Sequence, residues 1–178
     1  MSLTAMWTHG NSLRVETPES LESVFHVGWG TQLHFNSGQS SWLHITVPTP
    51  TILSGVRTEL SRVFLLFTVD EGNGYIKQVH LYDGPFQTDD FGDDLFLQGE
   101  HWLAIDKANT FVLKRPHVVA FGVGISFFFQ AAKLTDKGSG DSPLMLQIAG
   151  ARAEFFDDPI GKLPPAKGGF GQVARHVK

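Results

Sequence analysis

There is no cysteine among the 178 residues of the chain. That excludes disulfides, thiolate metal sites and cysteine nucleophiles, and it leaves the redox compartment open. Tyrosine is scarce as well, with two Tyr against fifteen Phe, a ratio that suits core packing better than a Tyr-rich recognition surface. Long apolar runs are also missing. The best stretch, 119–130, is interrupted by Gly122, Gly124, Ser126 and Gln130, and it falls short of the roughly 20 residues that a membrane span needs. The first residues show no basic segment followed by an apolar one, so neither a signal peptide nor a membrane partner is expected and the default location is cytoplasmic. No segment of useful length carries helical periodicity.

What the chain does carry is strand alternation. In 119–130, Phe121, Val123, Ile125, Phe127 and Phe129 share one parity while Gly122, Gly124 and Ser126 share the other, which predicts a strand with one bulky face and one bare one. The run 144–156 is expected to pair with it. In that run Leu146 and Ile148 share a face but the same parity then reaches Gly150, Arg152 and Glu154. A bulge near Gly150 would turn Ala151, Ala153 and Phe155 inward instead.

Shorter strands are expected over 7–15, 25–29, 32–36, 41–47, 59–70, 75–82, 95–97, 101–105 and 110–114. Ser37-Gly38-Gln39-Ser40 and Asp70-Glu71-Gly72-Asn73-Gly74 carry turn chemistry and predict two hairpins. About ten short strands at this spacing indicate an all-β protein, an antiparallel β-sandwich of jelly-roll type. The strands 62–70 and 119–130 are apolar on both faces, so a second layer or another copy of the chain is expected over their outer sides. A single domain covers 1–158. Beyond it, 159–178 turns to Pro, Gly and Lys and is expected to be a flexible basic tail. Its Lys162, Lys167, Arg175 and Lys178 face no acid, so the body is more acidic than the net charge of −4 indicates. An acidic body argues against nucleic acid as a partner.

Three groups of residues could carry chemistry. Asp89, Asp90, Asp93 and Asp94 lie on one acidic segment, and clustered carboxylates suit Ca²⁺, which takes six to eight oxygen ligands. Solvated hairpin acid is the bland alternative, and no other cofactor is called for. Strand histidines are numerous, among them His34, His44, His80 and His101, and convergence on one cavity would suit zinc or iron. His34 and His44 are expected to be neighbours across the first hairpin. The four tryptophans, Trp7, Trp29, Trp42 and Trp102, suit either a core or a carbohydrate groove, in which an indole meets the apolar face of a pyranose. Trp42, His44, His80, Tyr82, His101 and Trp102 are the residues expected to line such a groove.

Nucleophilic catalysis has no motif here, because G-x-S-x-G is absent along with cysteine. Gly122-Val123-Gly124 and Gly168-Gly169-Phe170-Gly171 open no helix and lack the setting of a phosphate loop.

The phrases T-H-G-N-S-L-R-V-E, G-W-G-T, S-W-L-H-I-T-V-P-T-P, H-L-Y-D-G, A-F-G-V-G-I-S-F-F-F and I-A-G-A-R-A-E-F-F resemble those of a family of small uncharacterised bacterial all-β proteins, over about 7–157. The resemblance implies one compact β domain and transfers no site residue. The expected function is a non-enzymatic binding or assembly module that self-associates, with a small molecule or glycan as ligand. The alternative is a small jelly-roll enzyme using a histidine-bound metal or carboxylate acid-base chemistry.

Overall fold

A computed structural model describes residues 2–134 and 144–157, so the expected tail, and most of the expected turn before Leu144, lie outside the described residues. In chain order the strands are β1 (Leu3–His9), β2 (Arg14–Val15), β3 (Leu21–Val27), β4 (Gly30–Phe35), β5 (Ser40–Thr46), β6 (Ile52–Leu53) and β7 (Val56–Val69). They continue with β8 (Gly74–Asp83), β9 (Phe86–Asp90), β10 (Gly99–His101), β11 (Thr110–Val118), β12 (Val123–Ala131) and β13 (Leu144–Asp157). Two 3₁₀ turns, Gly10–Ser12 and Pro18–Ser20, are the only helical pieces among the described residues.

The thirteen strands form two antiparallel sheets. One runs β10-β7-β13-β4-β3, with β1 on β13 and β11 and β6 on β7; the other runs β2-β5-β12-β8-β9. Removing the accessory strands leaves β4-β13-β7 with β10 and β11 on the far side, facing β5-β12-β8-β9. That is the interleaved order of a jelly roll.

Jelly-roll order overturns three expected pairings. β4 and β5 do not form a hairpin, nor do β7 and β8, nor do β12 and β13, because the chain crosses to the other sheet at each connection. The turns themselves are present, with Gln39 N–H donating to Asn36 O and Asn73 N–H to Asp70 O. They act as arches, and no ladder joins the strands on either side of them. Alternation is the same for an arch and a hairpin, since both put every second residue into the core. Gly74 marks one crossing: its φ is +142°, and a Cβ there would lie 2.4 Å from Gln130 O, so any larger residue is excluded.

Between the sheets lies the phenylalanine core. Phe35 and Phe67 come from the eight-stranded sheet, and Phe127 and Phe129 from β12. Phe35 and Phe129 meet across it with centroids 4.7 Å apart. Each such side chain contributes about 1.5–3 kcal/mol by burial. Val123, Ile125, Phe127 and Phe129 all face in as expected, but Phe121 precedes β12 and is 62% exposed. The bulge near Gly150 is present: the β13–β7 register shifts between Ile148 and Gly150, and Ala151, Ala153 and Phe155 are fully buried.

No second layer is needed over Phe64 on the outer face of β7. It is covered from within its own sheet, where the Arg62 and Arg152 guanidinium carbons lie 5.7 and 5.1 Å from its ring centroid. Arg152 also lies 5.2 Å from the Trp7 ring, and both arginines bind the buried Glu154 carboxylate. The carboxylate is thus neutralised and the aromatic covered by the same two arginines.

Candidate functional site

β12 occupies the middle of the five-stranded sheet, and at its centre the outward residues Gly124 and Ser126 are small. The register builds a row across the whole sheet: Arg14 opposite His44, His44 opposite Ser126, Ser126 opposite His80 and His80 opposite Asp90. On one side of this polar row stand Trp42, Phe128 and Gln78; on the other stand Thr46, Gly124, Tyr82 and Gln87. Because Gly124 and Ser126 raise nothing above the sheet, the taller aromatics around them enclose an open groove. Its volume is about 430 Å³, lined by Glu16, Trp42, His44, His80, Tyr82, Gln87 and Ser126.

Within the groove the side chains are already arranged by one another. His44 bonds through Nδ1 to Ser126 Oγ at 2.8 Å and through Nε2 to Glu16 Oε2 at 3.0 Å. Trp42 packs on the His80 ring at 4.7 Å and on Phe128 at 5.3 Å. The tilted and edge-on ring contacts of Trp42 and a hydrogen-bonded histidine restrict rotamers in advance, which lowers the entropy cost of binding a ligand. An aromatic wall, imidazoles, a hydroxyl and an amide together suit a ligand with apolar ring faces and many hydroxyls.

Four of the six expected ligand residues, Trp42, His44, His80 and Tyr82, therefore share one groove. The other two do not join it. His101 sits on the edge of the eight-stranded sheet, where its nitrogens contact Asp106 Oδ2 at 2.6 Å and Gln98 O at 2.9 Å. Trp102 packs edge-on against Trp29 at 5.1 Å and donates to Glu100. His34 is not near His44 across a hairpin, since β4 and β5 lie in different sheets; it bonds to Ser23 and Gln32 instead. The four histidines do not converge on one cavity.

The acidic segment divides by strand parity. Asp89 stands opposite the inward Leu81 and Asp90 opposite the outward His80. Asp89 is nearly buried and pairs with Lys114 at 3.6 Å, and Asp94 is solvated beside Lys77 at 3.9 Å. Asp90 and Asp93 turn toward His80 instead, at 3.8 and 4.0 Å from its Nε2. All three ligand atoms lie within 4.8 Å of one another. The four carboxylates thus do not form one calcium-type shell.

Glu16, Gln87, Ser126 and Phe128 were not among the expected site residues. Register places the last three and the contact with His44 places Glu16, and register depends on which sheet each strand joins. Alternation did offer one signal: Ser126 and Phe128 share the outward parity of Gly124 on the central strand.

One carboxylate fixes the end of the groove. Asp83, buried at the end of β8, accepts from His117 Nε2 at 2.8 Å and from the N–H groups of Ala120, Phe121 and Gly122 at 2.7, 2.8 and 2.9 Å. Burial alone would raise its pKa, but the His117 bond and the three amide bonds outweigh burial and hold it below the ordinary carboxylate range. The loop entering β12 is tied in this way to the residue after Tyr82.

Among the described residues no helix is long and apolar enough to cross a membrane. No curated protein matches the chain. The model of one family does match it, over residues 1–129, a span shorter than the 7–157 of the resembling phrases but one that takes in every groove residue named above. The chain belongs to that family, DUF6623, a family of unknown function.

Proposed function

We propose that the protein is a non-enzymatic binding module that takes a carbohydrate across the outer face of its five-stranded sheet. The observation that carries this reading is the polar row His44, Ser126 and His80, flanked by Trp42 on one side and Tyr82 on the other. A pyranose offers C–H groups for the aromatic walls and hydroxyls for the row between them. The full chain on a glycan array, followed by calorimetry on the glycans retained, tests it. Trp42→Ala is expected to weaken binding about tenfold or more, or 1.4 kcal/mol. An array that retains nothing removes the proposal.

A second reading, a small enzyme, draws on the chain Glu16–His44–Ser126. It has the contacts of a nucleophile, a base and an orienting carboxylate. Against it, the strand residues on both sides of Ser126 lie within ladders to β5 and β8, so their amides are engaged rather than poised as an oxyanion hole. Ser126 is therefore expected to resist a fluorophosphonate probe, and stoichiometric labelling would favour the enzyme.

The proposal includes self-association. The support is β3, which ends its sheet and carries Val24 and Phe25 at 40% and 48% exposure. Edge strands of this kind pair readily with another chain. A monomer in light scattering at high concentration counts against this part alone.

A further inference from the structure

We propose that His80, Asp90 and Asp93 bind a divalent transition-metal ion of the zinc class at the wall of the groove. The starting point is an imidazole nitrogen. His80 Nε2 is sealed from solvent and has no hydrogen-bond partner, a condition that costs free energy in a folded protein unless something fills the place. Its nearest acidic atoms, Asp90 Oδ1 at 3.8 Å and Asp93 Oδ1 at 4.0 Å, are too far to be hydrogen-bonded. They suit two ligands of one ion, since zinc bonds of about 2.0–2.2 Å set ligand atoms about 3–4 Å apart.

Charge points the same way. The neighbouring Asp89 and Asp94 have Lys114 and Lys77 as partners, whereas among the described residues Asp90 and Asp93 have an ion-pair partner only in His80. Two carboxylates beside an imidazole ask for a cation from outside the chain. Ligand type then selects it, because Ca²⁺ takes six to eight oxygens while one nitrogen and two carboxylate oxygens match zinc-type ions and leave a fourth position for water or a ligand.

The ligands are also supported from behind. Gly92 N–H donates to Asp90 Oδ1 at 2.8 Å and Gln78 Nε2 to Asp93 Oδ1 at 3.1 Å, and Trp42 packs on the His80 ring at 4.7 Å. Such contacts orient ligands before the ion arrives. A bridging water is the competing occupant, and binding of the metal itself separates the two. The inference does not rest on the carbohydrate reading, so the two fail separately.

The test uses the full chain, stripped with a chelator and titrated with Zn²⁺, with Co²⁺ as a coloured substitute and with Ca²⁺ as the control. Expected are one equivalent of Zn²⁺ bound at micromolar concentration, a Co²⁺ absorption spectrum of low coordination number, and no competition from millimolar Ca²⁺. His80→Gln is expected to abolish binding and Asp93→Asn to weaken it at least tenfold, while Asp94→Asn leaves it unchanged. Asp93 is 70% exposed at its side chain, so that variant folds even if the His80 variant does not. Absence of stoichiometric Zn²⁺, affinity unchanged in Asp93→Asn, or preference for Ca²⁺ each overturns the proposal.

Discussion

Asp83→Asn exchanges one carboxylate oxygen for an amide nitrogen at a point where four donors converge. Oδ1 accepts from Phe121 and Gly122, and Oδ2 from Ala120 and His117. The one remaining oxygen can keep two of those donors, while the new NH₂ group faces the other two. A hydrogen bond to a charged group contributes about 1.5–3 kcal/mol. Because His117 is one-third exposed and water can reach part of the broken pair, the expected loss is about 3 kcal/mol. For a chain of this size that lowers Tm by about 6–12 °C. Urea unfolding followed by tryptophan fluorescence measures it as a fall in midpoint with the slope unchanged.

The pH dependence has a definite sign. The folded-state pKa of Asp83 is depressed, so its contribution is present in full above the unfolded value of about 3.9 and is lost as pH falls through the folded value. The stability gap between wild type and variant is therefore expected to shrink as pH falls below about 4. A gap under about 1 kcal/mol at neutral pH, or one that stays constant far into acid, refutes the account of the carboxylate.

Two further substitutions probe the eight-stranded sheet. Arg152→Ala removes the guanidinium between Trp7 and Phe64 and leaves the buried Glu154 with Arg62 alone; losing one charge-assisted hydrogen bond to a carboxylate that keeps its other partner costs about 1.5–3 kcal/mol, and a loss near zero in chemical unfolding means the triad does not stabilise the sheet. Gly150→Ala places a Cβ 2.5 Å from Thr8 O, so β1 must shift at a cost of about 1–3 kcal/mol; an unchanged melting temperature shows that β1 does not approach the bulge so closely.

Most of the strands were legible because alternation is a local property. The parity of 63–69 and 123–129 follows from side chains pointing up and down, and burial of Val63, Leu65, Phe67 and Val69 needs only that one face meets a core. Gly150 was legible for the same reason, since a parity that runs from Ile148 into Arg152 and Glu154 has to be broken. Pairing was not legible. A four-residue turn between Phe35 and Ser40 is compatible with a ladder or with an arch, and what decides is the competition for edges in the finished sheets. β13 pairs with β7 and β4, both in the sheet opposite β12, although β12 is its neighbour in sequence. Phe64 shows a second limit, because its covering comes from Arg62 and Arg152, charged residues that a count of apolar positions assigns to solvent.

The groove followed from the same two facts with opposite results. Trp42, His44, His80 and Tyr82 were singled out as residue types, and they came together because they share outward parity on β5 and β8, which happen to flank the same strand. His101 and Trp102 share the chemistry but lie on the other sheet, and no property of a side chain announces its sheet. The glycines of β12 join these observations. Gly124 has ordinary strand geometry, and a Cβ there would meet only Tyr82 Cβ, at 4.0 Å. Backbone conformation therefore does not demand glycine at this position. What glycine and serine do provide at the centre of the sheet is depth: any large residue at 124 or 126 would stand between Trp42 and Tyr82 and fill the groove. The bulky face of β12 builds the core, and its bare face leaves a concave surface at which two rows of aromatic and imidazole side chains can act together.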